Sequence, residues 1–184
     1  MKAITLLLLF LPLSAMAEIH KEAQVCQESG QICFFWWPEL SPVKGWYQDI
    51  EHSYHYKVNA QAPEKYTFAN AGAVIYAKAE YQEKSSSERS LEEFITFSQY
   101  QFISGAPSEL EVKKTGEKVS KGKHKFLSYS FFPKGAGNWE QVSYAEDNDK
   151  EGNKNYIIIV LSSKSKEGYD KNIKTYNEFI AQYQ

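Results

Sequence analysis

The sequence predicts an α+β protein in which a mostly antiparallel β-sheet is flanked by two main helices. Short segments with alternating apolar and polar residues recur along the chain, and this pattern favours strands. Two other segments, one starting at Ser90 and one covering 167–183, carry apolar residues at helical spacing. Because the strands come in runs with few helices between them, we expect the sheet to be mainly antiparallel. An N-terminal extension stapled by a disulfide completes the prediction.

The first residues predict a secretory signal peptide. Lys2 precedes an apolar stretch from Ile4 to Leu13, and Ala15-Met16-Ala17 matches a small-residue cleavage site. The apolar stretch is shorter than the ~20 residues that cross a bilayer, so no stable membrane insertion is expected. We therefore predict that 1–17 is cleaved and that 18–184 is a single globular domain, either periplasmic or secreted.

The two cysteines, Cys26 and Cys33, are expected to form a disulfide because an exported chain meets an oxidising compartment. A metal pair and a redox dithiol usually have C-x-x-C spacing, which the six intervening residues do not match. On the chain-entropy model a loop of this size stabilises the fold by about 2.5 kcal/mol. The Glu-Ser-Gly turn signal between the cysteines predicts a small stapled hairpin or loop over 24–34.

After this extension the pattern predicts two strands, 52–60 and 73–82, followed by a helix. In both strands large or apolar side chains alternate with smaller or polar ones, as expected where one face is buried. The helix begins at Ser90, because Glu93 three residues later completes a capping box. A Gly-Ala-Pro sequence starting at residue 105 ends the helix.

In the second half of the chain, four strands are expected before the C-terminal helix: 109–119, 124–132, 139–146 and 156–162. The first is expected to be broken or bulged near Gly116. The last is apolar on both faces, which favours a central position in the sheet. In 167–183 apolar residues recur at intervals of four and three, so this helix is expected to pack on the sheet.

This order of elements resembles the PsbP/Mog family over roughly 45–183. The likeness rests on the strand pair, the S-L-E-E-F helix start, the later strands with Tyr156-Ile157-Ile158-Ile159-Val160, and Phe179 near the end of the last helix. The resemblance implies an α/β/α sandwich around an antiparallel sheet. It also implies a non-enzymatic binding or assembly factor, and it supplies no catalytic residues.

No catalytic motif occurs in the sequence, so we predict neither enzymatic activity nor a cofactor. His52 and His55 would point to opposite faces of a strand, which makes them a poor metal pair. A hydrolase with acids assembled from distant positions stays open as an alternative, and it predicts an acidic cleft with a carboxyl of raised pKa. The 21 basic and 23 acidic residues are mixed along the chain without a basic stripe, so nucleic acid is not an expected partner.

The segment 147–153 matches the first half of an EF-hand loop, with Asp147, Asp149 and Glu151 at alternate positions and glycine sixth. The twelfth position is Ile158 rather than the glutamate that closes such a site, and strands rather than helices are expected on either side. We therefore predict a solvated hairpin loop and no metal site. A weak calcium site at the three acidic residues is the alternative.

Four consecutive aromatic residues, Phe34-Phe35-Trp36-Trp37, follow the second cysteine. In a strand, Phe34 and Trp36 would face one way, and Phe35 and Trp37 the other. Unless both faces are covered, one of these pairs is exposed. Core packing, a partner surface that also includes Trp46, and membrane contact are the three interpretations, in that order of preference.

Together these features predict an exported domain that acts by binding another protein of unknown identity. The first hypothesis is an immunity or inhibitor protein against a toxin delivered to the periplasm, because size, compartment and lack of catalytic motifs suit that role. The second is an envelope assembly factor or chaperone, as the PsbP/Mog resemblance implies. A hydrolase is the third.

Overall fold

The computed structural model describes residues 19–26, 30–82 and 89–184. The signal peptide predicted for 1–17 lies outside the described residues. The described elements are, in chain order, β1 (Ile19–Val25), β2 (Ile32–Pro38), β3 (Trp46–Gln48), α1 (Ile50–Tyr56), β4 (Asn59–Pro63), β5 (Ala73–Tyr81), α2 (Leu91–Gly105), β6 (Leu110–Val119), β7 (Lys125–Pro133), β8 (Trp139–Asn148), β9 (Lys154–Ser163) and α3 (Lys166–Gln182).

The strands form one antiparallel sheet with the order β1-β2-β5-β9-β8-β7-β6, while β4 pairs with β5 and β3 pairs with β4. Strand β9 lies between β5 and β8, and all its residues after Lys154 are buried. This confirms the prediction of a central strand. The pairing of β6 with β7 shifts register between Lys114 and Gly116, so the irregularity expected near Gly116 is also confirmed.

Two hydrophobic cores lie on opposite faces of the sheet, one under α3 and the other under α2. Strand β9 contributes side chains to both cores, because successive side chains of a strand point to opposite faces. Ile157 and Ile159 belong to the α3 core, whereas Ile158 and Val160 belong to the α2 core. The predicted α+β class with an antiparallel sheet is therefore confirmed, and a third, shorter helix joins the two that were predicted. Among the described residues, no helix is long and apolar enough to cross a membrane.

Three tyrosines at intervals of seven residues attach α3 to β8. Their hydroxyls donate hydrogen bonds to β8 side chains: Tyr169 to Gln141 Oε1 at 2.8 Å, Tyr176 to Ser143 Oγ at 2.6 Å, and Tyr183 to Asp147 Oδ2 at 2.8 Å. Seven residues make about two helical turns, so Tyr169 and Tyr176 lie on one face of α3, and Tyr183, directly after the helix, contacts β8 from the same side. The helix rises about 21 Å from the first tyrosine to the last, and β8 rises about 20 Å over its three acceptors. The matched spacing keeps α3 aligned with β8.

The strand predicted for 52–60 is wrong, because Ile50–Tyr56 forms α1 and β4 begins only at Asn59. Asp49 caps this helix by accepting a hydrogen bond from the His52 backbone N–H at 3.2 Å. Lys57 ends the helix in the left-handed conformation, with φ of 60°. A helix of two turns is too short to show a clear helical period, so its alternating tyrosines matched the pattern of a strand.

We expect the free energy of unfolding to decrease as the pH rises above about 10, the ordinary pKa of tyrosine. Burial raises the pKa of Tyr169 to about 12 and raises the pKa of Tyr176 well above its ordinary value. The folded protein therefore keeps phenolic protons that the unfolded chain releases, so this stability is complete below about pH 10 and is lost as the pH rises through the folded pKa values. Urea unfolding at a series of pH values up to about 11 measures the effect.

The Tyr176→Phe variant is the control for this loss of stability at alkaline pH, because it removes one group with a raised pKa and leaves every lysine in place. It should be less stable than the wild type at neutral pH by about 1–3 kcal/mol, since the buried Ser143 hydroxyl and the Ile159 carbonyl each lose a hydrogen-bond partner. Its stability should fall less steeply above pH 10. Identical slopes in the two proteins would show that Tyr176 is not responsible.

Candidate functional site

The hairpin of β1 and β2 carries the four consecutive aromatic residues and forms one edge of the sheet. Seven residue pairs join its strands, from Ile19↔Pro38 to Val25↔Ile32. The predicted disulfide between Cys26 and Cys33 is present and closes the hairpin next to its turn. Only one residue pair, Trp36↔Ala79, joins β2 to β5. The base of the hairpin is therefore anchored to the sheet, and its tip extends past that anchor.

Exposure of the four aromatic side chains decreases along β2 from the tip to the base. Phe34 is 46% exposed, Phe35 and Trp36 are half-buried, and Trp37 is only 5% exposed. Strand alternation alone predicts a different outcome, with one alternate pair exposed and the other buried. The exposure of each ring depends instead on its position relative to the Trp36↔Ala79 pair, because both faces of the hairpin are covered at its base.

Helix α1 covers one face of that base. The Trp37 ring meets Tyr54 edge-on, with 5.0 Å between the ring centroids, and the Tyr54 hydroxyl donates to Glu22 Oε2 at 3.3 Å. The Lys57 ammonium lies 4.8 Å from the centroid of the Phe35 ring. The segment that was predicted to be a strand therefore provides the helical cover over Trp37.

A buried carboxylate, Asp49, ties the start of α1 to the backbone at Phe68. Its Oδ2 accepts a hydrogen bond from the Phe68 N–H at 2.9 Å and lies 2.9 Å from His52 Nδ1. Burial raises the pKa of Asp49, but hydrogen bonds from Phe68 and His52 outweigh burial and bring this pKa below its ordinary value. His52 and His55 both belong to α1, and in the described parts of the chain no three His, Cys, Asp or Glu residues are grouped as metal ligands.

The opposite face of the hairpin base packs on β5 and on the α3 core. The Trp36 ring stacks on Tyr81, with 5.3 Å between centroids and an interplanar angle of 11°. Two concave regions adjoin this stacked pair. One, of about 500 Å³, lies between β1 and the β8–β9 loop, and the other, of about 410 Å³, lies where β2 separates from β5.

Three apolar side chains near the hairpin turn are exposed on the same face as Trp36, and we call them the tip patch: Val25, Ile32 and Phe34. Val25 and Ile32 are 68% and 67% exposed and are directly paired, and Phe34 follows two residues along β2. The Lys21 ammonium lies 4.4 Å from the centroid of the Phe34 ring. Contiguous exposed apolar side chains of this kind mark interaction surfaces.

Two members of the tip patch were missed from the sequence. Only Phe34–Trp37 and Trp46 were predicted as partner-binding residues, although Val25 and Ile32 flank the turn signal. Pairing across a stapled hairpin places Val25 and Ile32 on the same face as Phe34. The alternation of side chains along the two strands could therefore have predicted both residues from the sequence. Trp46 lies in β3, where its ring meets Phe179 of α3 with 6.2 Å between centroids, so its contact is with the α3 core rather than with the hairpin.

The acidic segment considered as a calcium site forms the end of β8 and the loop to β9. Asp149 Oδ1 accepts hydrogen bonds from the backbone N–H groups of Glu151 at 2.9 Å and Asn153 at 2.8 Å. Asp147 accepts a hydrogen bond from the hydroxyl of Tyr183 instead. The two aspartates thus stabilise the loop and the end of α3, respectively, and calcium binding stays an untested alternative.

One carboxyl has the raised pKa that the hydrolase alternative predicts. Burial raises the pKa of Glu140 on β8, and a hydrogen bond from Ser162 partly opposes the rise. Tyr76 is a neighbour whose pKa is raised by its own burial and, to a smaller degree, by Glu140. A raised pKa at a half-buried carboxyl is equally expected of a structural group, so it does not by itself identify an active site.

No protein-family model and no curated protein matches this chain. The resemblance to the PsbP/Mog family therefore stays a prediction from the order of elements.

Replacing Trp37 with alanine should lower the free energy of unfolding by about 3–5 kcal/mol, because it removes a large side chain from a buried site. The matched change Phe34→Ala should cost about 1 kcal/mol or less, since that ring is largely in contact with solvent. Guanidinium unfolding at one pH compares the two variants. Equal losses would contradict the decrease in exposure from the tip to the base.

Proposed function

We propose that this chain is a non-enzymatic exported domain that binds another protein through the tip patch. The exposure of Val25, Ile32 and Phe34 on a projecting hairpin carries the proposal. Side chains this exposed add little to the stability of the fold, so their clustering is better explained by contact with a partner. The disulfide restrains the hairpin before binding, which reduces the conformational entropy lost on association.

Within this class we favour an immunity or inhibitor protein against a toxin delivered to the periplasm. The predicted signal peptide and the disulfide both suit an oxidising compartment outside the cytoplasm. A rigid, narrow hairpin with an aromatic residue near its end is suited to enter a cleft on a toxin, as aromatic anchors do at the centres of tight interfaces. Inhibition by occlusion of the cleft needs no catalytic group on this chain.

An envelope assembly factor or chaperone of the PsbP/Mog kind is the second candidate. Two observations support it. Helices α2 and α3 lie on opposite faces of an antiparallel sheet, as the resemblance implies. In addition, Phe97 and Tyr100 of α2 are 41% and 69% exposed, which offers a second surface for a further partner. This candidate predicts several weak partners rather than one tight complex.

A pull-down of the mature protein from envelope extract tests the proposal. The wild type should retain one stoichiometric partner at high salt, and Phe34→Ser should retain at least tenfold less, because an interface anchor is worth more than about 1.4 kcal/mol. Val119→Ser is the matched control, since Val119 is 67% exposed but lies on β6. Equal retention by all three proteins would contradict binding through the tip patch.

A competition assay separates the two candidate functions. If the protein confers immunity, cells without its gene should be killed by toxin-producing neighbours, and the wild-type gene should restore survival. A gene encoding Phe34→Ser should fail to restore survival, whereas one encoding Val119→Ser should succeed. Unchanged survival of the deletion strain, together with several substoichiometric partners in the pull-down, would favour the assembly factor.

A further inference from the structure

Strand β1 is an open sheet edge. It stands at one end of the strand order, and no strand in the described ranges pairs with its outer side. Its seven residues pair with β2 in continuous register, without a bulge or a proline. A regular edge of this length presents unpaired backbone groups to which another extended chain can hydrogen-bond.

The opposite edge, β6, carries the features that block such pairing. Its register shifts next to Gly116, which has φ of +147°, and the strand bears four exposed lysines or glutamates near that shift: Lys113, Lys114, Glu117 and Lys118. Bulges and edge lysines are common protections against the addition of a strand. In β1 the single lysine, Lys21, lies over the Phe34 ring instead. The two edges are therefore not equivalent, and β1 is the accessible one.

The hairpin hydrogen bonds show which backbone groups of β1 face outward. The Cys26 N–H donates to Gln31 O at 2.8 Å and the Cys26 carbonyl accepts from the Gly30 N–H at 2.8 Å, so both backbone groups of Cys26 point inwards across the hairpin. Hydrogen-bonded and non-hydrogen-bonded pairs alternate along an antiparallel ladder. Lys21, Ala23 and Val25 consequently direct their N–H and C=O groups away from β2, towards the open edge.

The charge of Lys21 on this edge indicates which kind of extended segment could pair with β1. The Lys21 ammonium lies 4.4 Å from the centroid of the Phe34 ring and 5.8 Å from that of Trp36. Asp149 and Glu151 line the same concave region as Lys21, but within the described residues Lys21 forms no ion pair with a carboxylate. A second copy of β1 cannot supply one in an antiparallel pair, because Glu22 points to the opposite face of the sheet from Lys21. An acidic residue on a different chain can lie directly opposite Lys21.

We propose that β1 binds an extended segment of the partner protein as an additional strand of the sheet. An acidic side chain of that segment faces Lys21, and apolar side chains face Ala23 and Val25, of which Val25 belongs to the tip patch. The inference rests on the proposed function and specifies the chemistry of the partner segment. Backbone hydrogen bonds then provide affinity, and the alternating side chains provide selectivity.

Two synthetic nine-residue peptides serve as probes. Both alternate valine with threonine, and one valine in the middle is replaced by glutamate in the first and by lysine in the second. Binding to the ¹⁵N-labelled mature protein is followed by amide chemical shifts. The glutamate peptide should saturably shift the amides of Lys21, Ala23 and Val25 and should bind at least fivefold more tightly than the lysine peptide.

The Ala23→Pro variant removes an outward N–H without removing a hydrogen bond between β1 and β2, and proline is tolerated at such edge positions. It should bind the glutamate peptide at least tenfold more weakly, whereas the matched variant Ala23→Val should bind it like the wild type. If Ala23→Pro does not fold, Lys21→Glu provides the test, because it should reverse the preference between the two peptides.

Three results would overturn the inference. The first is that both peptides bind equally well or that neither binds. The second is that the peptide shifts only the amides of Ile32 and Phe34. The third is that the β1 amides shift with protein concentration in the absence of peptide, which would identify a second copy as the occupant. Capture of the natural partner separates this inference from the proposed function. Capture that needs Phe34 but is unchanged by Ala23→Pro would leave the proposed function standing and remove strand addition.

Discussion

Burial of β9 on both faces is the constraint on which the rest of the structure depends. A strand without a polar face needs a cover on each side, and α2 and α3 are packed on opposite faces of the sheet accordingly. Its nine-residue pairing with β5 fixes the position of β5 in turn. Tyr81 at the end of β5 then provides the surface on which Trp36 stacks, so the attachment of the hairpin follows from the central strand.

The hairpin combines a buried base with an exposed tip, and this combination makes it suitable for recognition. Trp37 under α1 and Trp36 on Tyr81 attach the base to the body of the protein. The disulfide restrains the tip, which lies beyond the Trp36↔Ala79 pair that joins β2 to β5. A partner therefore meets apolar groups that are already arranged, which lowers the entropy lost on binding. Among the described strands, none pairs with the outer edge of β1 beside those groups.

Much of the fold was predictable because its signals are local. The capping box of Ser90 and Glu93, the irregularity at Gly116 and the apolar pattern of β9 each lie within a few residues, and the structure contains all three. The helix α1 was not predictable in this way. Its stability comes from Asp49, which bonds both to its own first turn and to Phe68, nineteen residues away. A contact at that separation leaves no local pattern.

For the candidate site, the sequence by itself determined the disulfide across a turn and the placement of the four aromatic residues in one strand. Spacing of the cysteines and strand alternation are properties of the local chain, so they needed no tertiary information. Only the tertiary structure decided that Trp37 is buried and Phe34 exposed, and that Val25 and Ile32 complete the tip patch. Exposure depends on where β2 separates from β5 and on which helix covers its base. Those contacts join distant parts of the chain, and no pattern within β2 encodes them.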